Sequence, residues 1–194
     1  MALFKAFDHK AMVNGESILS VVDGMGTAKD SAISILAKHG IEKVEQGKWY
    51  HQQSWLDAFK EISESMGAFT LFNIGKKIPE NAQFPPEIDS IYKALSAIDV
   101  AYHMNQSIDG KSLFNPANGE MKEGIGHYGY KKENEKLIIM ECNNPYDCDF
   151  DRGIIQTMAQ RFKPANVSFI KVQHDDKQPC RKKSNESCTY TVSW

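Results

Sequence analysis

Apolar residues recur every three or four positions through much of the first 110 residues and alternate with polar ones in much of the remaining 84, so the chain reads as helical first and extended later. Ser31 to His39 places Ile33, Ile35 and Leu36 on one side and stops at Gly40, where glycine can take the left-handed turn that ends many helices. Ser54 is placed to cap a second helix, because Leu56, Phe59, Ile62 and Met66 follow at helical spacing before Gly67. Ala68 to Gly75 either extends that helix or forms a short buried segment. Pro79, Pro85 and Pro86 predict a loop, since proline removes a backbone donor and restricts the residue before it. Ile88, Ile91, Tyr92, Leu95, Ile98 and Tyr102 then predict a long helix over Glu87 to His103 with one buried face.

From Gly124 the spacing changes. Gly124 to Lys131 and Leu137 to Cys142 predict two strands joined through the polar run KENEK. Asp149 to Phe162 carries Phe150, Ile154, Ile155, Met158 and Phe162 on one stripe, with Asp147, Asp149 and Asp151 at the end where a helix dipole favours negative charge. Val167 to Val172 and Cys188 to Trp194 supply two more strands; in the last, Cys188, Tyr190, Val192 and Trp194 share one face. The expected fold is α+β: an N-terminal helical layer packed on a C-terminal antiparallel sheet of about four strands with one intervening helix. All 194 residues form one domain, a mainly helical part over 1–110 and a strand-rich, cysteine-bearing part over 111–194, crossed by a glycine-containing loop from Ser107 to Glu123.

Composition narrows the function classes. Hydrophobic residues make up 41% and charged residues 25%, enough apolar material for a core and enough charge for a wet surface. Twenty-three basic against 25 acidic residues leave a formal charge of -2, and the lysine-containing stretches are short and offset by acids, which argues against a nucleic-acid partner. The longest apolar run is about four residues, Leu137 to Met140, and the N-terminus has no signal-like apolar segment, so no membrane span and a cytoplasmic location are expected.

All four cysteines fall within 47 residues: Cys142 and Cys148 are separated by five residues, Cys180 and Cys188 by seven. If the sheet brings these strand ends together, four thiolates could surround one tetrahedral ion, and zinc is the usual choice for four sulfurs. Such a site would be structural, having no open position for water. Arg152, Arg181, Lys182 and Lys183 nearby would favour thiolates. Two disulfides or four free thiols are the alternatives that spacing leaves open. His127 and His174, on or beside strands in the same half, could replace or orient a thiolate, although ordinary polar strand roles are the simpler reading.

The stretches CNNPYDCDFDRGII at 142–155 and VQHDDKQPCRKKSNESCTYTVSW at 172–194 resemble the 4-vinyl-reductase domain family, whose members end in a similar cysteine, seven-residue gap, cysteine, aromatic and tryptophan pattern. GKWYHQQSWLDAFKEISESMGAFTLFNIG and IYKALSAIDVAYHMN are similar to the helical part of the superfamily joining small-molecule sensors, heme-nitric-oxide-binding domains and Golgi-tether subunits. The resemblance implies helices packed on an antiparallel sheet around a pocket for a small apolar ligand, with a cysteine zinc site bracing the sheet. It maps directly onto Cys180 and Cys188; relatives vary in their other ligands, and Glu141 is the substitute should an upstream cysteine not bind. No helix-turn-helix or ATPase segment is visible, so signalling output would lie on a separate partner, with helix-mediated homodimerisation as a further expectation.

Trp55, Phe59, Phe72, Tyr92, Tyr102 and His103 are the candidate ligand-binding residues on the helical segments, although aromatic stripes at helical spacing are first of all core. His103 could ligate a heme iron. The tyrosine, serine and arginine motif that holds heme propionates in the heme-nitric-oxide-binding family is not visible, so heme is set aside and His103 is expected to be a hydrogen-bonded interfacial residue. The leading reading is a non-enzymatic sensor or carrier of a small apolar molecule. A scaffold of the same fold without ligand is the alternative, and a heme- or tetrapyrrole-binding protein or enzyme the further one. No catalytic residues are assigned: no nucleotide-binding glycine motif and no distinct acid–base pair stands out.

Overall fold

The computed structural model describes residues 3–194. A short strand β1 (Met12–Asn14) leads into α1 (Gly15–Gly24), α2 (Lys29–Lys38), β2 (Trp49–His51), α3 (Gln52–Asn81) and α4 (Ile91–Met104). Short strands β3 (Gln106–Ile108), β4 (Lys111–Ser112), β5 (Phe114–Asn115) and β6 (Glu120–Met121) follow. Then come β7 (Tyr128–Asn134), β8 (Leu137–Cys142), α5 (Cys148–Arg161), β9 (Lys171–His174) and β10 (Cys188–Ser193). The α+β reading holds: the second half builds an antiparallel four-stranded sheet in the order β7-β8-β10-β9, with α5 between β8 and β9 in sequence.

Helix starts follow local chemistry. Asn14 caps α1 by accepting from the Ser17 amide at 2.9 Å, and Asp147 caps α5 by accepting from the Asp149 amide at 2.8 Å. Ser90 caps α4, which therefore begins at Ile91 rather than at Glu87. Helix α3 begins at Gln52, so Ser54 lies inside it, and the helix runs through Ala68–Gly75 to Asn81 with Pro79 in its last turns. It bends at Gly67, whose φ of 76° is left-handed territory open to glycine. Four features were not legible in the apolar spacing: helix α1, the small sheet β2-β1-β3-β4, the β5–β6 pair inside the stretch expected as a loop over Ser107 to Glu123, and a strand at Lys171–His174 in place of Val167–Val172. The short strands carry too few residues to show a period.

Helices α4 and α5 meet the sheet through β7, β9 and β10; α3 packs across α5, and α1 and α2 pack on α3. The α3–α5 crossing is close because Gly75 and Gly153 face the partner backbone: a Cβ on Gly75 would stand 2.1 Å from the Phe150 carbonyl oxygen, and one on Gly153 2.2 Å from that of Phe72. Ile138, Met140 and Cys142 of β8 and Cys188, Tyr190 and Val192 of β10 form the buried face of the sheet. Register pairs Cys142 with Cys188 and Tyr190 with His174. No helix among the described residues is long and apolar enough to cross a membrane.

Candidate functional site

Between α1, α3, α4 and α5 lies a cavity of about 170 Å³. Helix α4 turns Ala97, Ile98, Ala101 and Tyr102 towards it, with Asn105 just past its end, α5 contributes Phe150, Ile154 and Met158, and Val21, Trp55, Tyr128 and Tyr146 close other sides. The three phenols are all committed. Tyr102 donates to the Ile125 carbonyl at 2.9 Å, Tyr128 donates to Asp151 Oδ1 at 2.7 Å, and Tyr146 accepts from Trp55 Nε1 at 3.2 Å. Burial pushes all three up, Tyr146 to about 12, so they face the cavity as neutral hydroxyls.

Of the six aromatic and histidine candidates, the structure places Trp55 and Tyr102 on this wall. Phe59 is fully buried among Trp55, Tyr146 and Phe150, filling core rather than lining a void. Phe72 lies under the Arg152 guanidinium, and Tyr92 packs on Trp194 while donating to the Glu135 carbonyl. His103 follows Tyr102 on α4 and, one helical step round, contacts His127 instead of the cavity. The lining residues Phe150, Ile154 and Met158 read in sequence as an ordinary apolar helix stripe, which is why no signal set them apart.

A second constellation sits where α5 starts and β9 and β10 lie side by side. The Sγ atoms of Cys148 and Cys188 are 3.2 Å apart, and each lies 3.7 Å from Cys180 Sγ. Four sulfurs or nitrogens at about 2.0–2.3 Å around one tetrahedral ion would be separated by similar distances. The fourth member is His174, whose ligand atom lies within 4.8 Å of the three sulfurs. Its Nδ1 faces Asp176 Oδ1 at 3.1 Å, and its buried Nε2 has no hydrogen-bond partner among the described residues. This cysteine–histidine cluster could hold a metal ion.

Cys142, expected as the fourth sulfur, lies outside the cluster. It sits in the interior strand β8, with β7 on its other side, among groups that include Asp151 and Arg181, and burial pushes its thiol well up. His174 reaches the site from the edge strand β9 because a diagonal neighbour on the same face is close enough for a long side chain.

The cluster is electrically prepared. Arg181 is buried, with its backbone N–H and Nε 3.3 and 3.5 Å from Cys188 Sγ. Cys188 is drawn down to about 3 by the Cys148 thiol that donates to it and by Arg181, against the opposing effect of burial. Cys148 moves the other way, holding its proton for the Cys188 thiolate and resisting charge through burial. The Arg181 guanidinium also binds Asp151 and Asn144, which leaves it no exposed donor face.

No family model and no curated protein matches the sequence, so the 4-vinyl-reductase resemblance rests on its motif alone. Solved structures do match. One is an H-NOX protein from S. oneidensis in the Fe(II) ligation state, at TM-score 0.63 and 13% identity over 93% of this chain and 95% of that one. Another is an oxygen-binding H-NOX domain related to soluble guanylate cyclases, in its oxygen complex, at TM-score 0.61, 14% identity and coverage of 93% and 94%.

The chain has the H-NOX fold. A third match, at TM-score 0.61 and 14% identity over 93% of this chain and 99% of the other, comes from work on heme redox potential and protein-induced porphyrin distortion. These likenesses overturn the expectation that sets heme aside: the matched structures of this fold are described with heme, iron and bound oxygen.

Proposed function

We propose that this chain is a small-molecule sensor domain that takes its ligand into the cavity between α4 and α5, with heme as the ligand to which the fold points. The carrying observation is a largely apolar cavity, walled by phenols and one thioether, inside an H-NOX fold followed over 93% of the chain. The donor chemistry of the wall admits heme, because methionine thioethers and tyrosine oxygens are among the groups that hold heme iron, and Met158 and Tyr102 offer one of each. Heme, when bound, would supply an iron centre for a diatomic gas. Ile98, Phe150 and Ile154 would cover apolar surface and exclude water. Tyr102 would have to release the Ile125 carbonyl to turn towards a metal, and the walls would have to part beyond the present 170 Å³.

That volume favours one second reading, direct binding of a smaller apolar molecule. Cavities of about 150 Å³ lined by apolar side chains take up benzene. Titration with hemin separates the readings: a Soret band saturating at one equivalent per chain, weakened in Met158→Ala or Tyr102→Phe, supports heme. A featureless titration together with a melting temperature raised by benzene-sized ligands supports the smaller molecule, and neither response removes the sensor reading.

We further propose that Cys148, His174, Cys180 and Cys188 hold one structural zinc ion. Three thiolates and a neutral imidazole around Zn²⁺ carry a net charge of -1, which the Arg181 guanidinium, itself paired with Asp151, faces through Nε, and Asp176 orients the His174 ring from outside. Elemental analysis of the purified protein tests this: at least one zinc per chain is expected, and no metal with four reactive thiols would remove the site.

A further inference from the structure

From the geometry around the C-terminal half of α4, we propose a second metal site, distinct from the cysteine cluster, in which Asp99, His103 and His127 bind a divalent first-row transition ion. One ligand atom from each of the three lies within 4.8 Å of the other two. Asp99 and His103 stand four residues apart on α4, hence on one face, and His127 arrives from the segment leading into β7 with its ring 4.9 Å from that of His103.

His103 is arranged as metal-ligating histidines are, with one nitrogen engaged by an oxygen and the other available, whereas both nitrogens of His127 face carboxylates. His103 Nδ1 lies 2.8 Å from the Asp99 backbone carbonyl. A carbonyl can only accept, so the proton is on Nδ1 and Nε2 keeps its lone pair. His103 is 0% exposed, and its Nε2 has no hydrogen-bond partner among the described residues. A buried acceptor left unsatisfied is costly, and a metal bond would satisfy it. His127 Nε2 lies 2.8 Å from Glu123 Oε2, while its Nδ1 faces Asp99 Oδ2 at 2.9 Å. Glu123 holds the outer nitrogen, and an ion shared by His127 Nδ1 and Asp99 would take the place of the proton that now joins them, which is released on binding. The Asp99 carboxylate is itself positioned by the Tyr128 amide, which donates to Oδ1 at 2.8 Å.

Two imidazoles and one carboxylate suit zinc, iron, cobalt or nickel rather than calcium or magnesium, which take mostly oxygen. The same α4 segment carries Ile98, Ala101 and Tyr102 on the cavity wall. An ion here would pin α4 to the start of β7 and hold that wall in place.

The test is Co²⁺ and Zn²⁺ titration of the metal-free chain, comparing wild type with His103→Gln and Cys180→Ser. Wild type is expected to take two equivalents. His103→Gln should lose one of them, or bind it about tenfold or more weakly. In Cys180→Ser the remaining cobalt should show d–d absorption without sulfur-to-cobalt charge transfer. If the cysteine reading fails and this one holds, wild type takes a single equivalent that Cys180→Ser retains and His103→Gln loses. Should Cys180→Ser not fold, the comparison of wild type with His103→Gln decides. Identical stoichiometry and affinity in those two chains overturns the site.

Discussion

Tyr128 and Asp151 are joined by a 2.7 Å hydrogen bond that links the cavity wall to the cysteine cluster. Tyr128 presents its ring to the cavity, Asp151 holds the Arg181 guanidinium through its other oxygen, and Arg181 points its backbone N–H and Nε at Cys188 Sγ. Every link in this chain is buried.

Asp151→Asn leaves the buried Arg181 guanidinium without its counter-charge. The expected loss is about 3–5 kcal/mol, the range for breaking a buried pair from one side, read from urea unfolding. Tyr128→Phe removes one hydrogen bond and keeps the pair, and its expected cost is about 1–3 kcal/mol. Equal losses in the two variants would show that the ion pair is not what holds this region.

The ionisation of Asp151 carries a pH signature. Burial raises its carboxyl to about 6, although Arg181 and the hydrogen bonds from Tyr128 and Asn144 pull it down. Its unfolded value is about 3.9. The folded state therefore binds more protons between about pH 4 and pH 6, so the contribution of this group to stability declines as pH rises through that window. Carboxyl carbon chemical shifts followed by NMR should place one buried aspartate with a midpoint near 6; a midpoint below 4 would contradict the arrangement.

Cysteine variants separate the cluster from its neighbour. Cys180→Ser, Cys188→Ser and His174→Asn should lose zinc, since removing a direct ligand costs more than the loss of about 10–100-fold that follows removal of an outer partner, whereas Cys142→Ser should keep it. Metal content after dialysis and the melting temperature with and without a chelator are the readouts. Loss of zinc in Cys142→Ser together with its retention in His174→Asn would return the site to the four-cysteine arrangement.

At the α3–α5 crossing, Gly75→Ala sets a methyl group 2.1 Å from the Phe150 carbonyl oxygen, so the helices must move apart. Overpacking of this kind costs about 1–3 kcal/mol, and the double variant with Gly153→Ala should cost less than the sum, since one separation relieves both contacts. Thermal unfolding of the four chains measures this coupling.

Filling the cavity separates ligand binding from folding. Ala97→Leu projects three further carbons from α4 into the space of about 170 Å³, so uptake of hemin or of benzene-sized molecules should be lost while the fold persists. Far-ultraviolet circular dichroism would report the fold and ligand-induced change in melting temperature the uptake. Undiminished uptake would place the ligand elsewhere.

The α+β order, the cores of α4 and α5, the β7–β8 hairpin and the covered face of β10 follow from spacing in the sequence, because each is long enough for its own period to show. Three of the four cluster residues, Cys148, Cys180 and Cys188, were legible as well, since unusual residue types crowd a short stretch. Exchange of Cys142 for His174 was not. It depends on β9 lying beside β10 at the sheet edge, a pairing between strands that local sequence does not specify. The cavity is tertiary in origin too: Tyr102 and Met158 are ordinary apolar-stripe positions until α4 and α5 leave a gap between them. So is the Asp99–His103–His127 cluster, whose members span 29 residues and meet only because α4 packs on the start of β7. Local periodicity determines which face of an element is buried; the packing of elements from distant parts of the chain decides what that face meets.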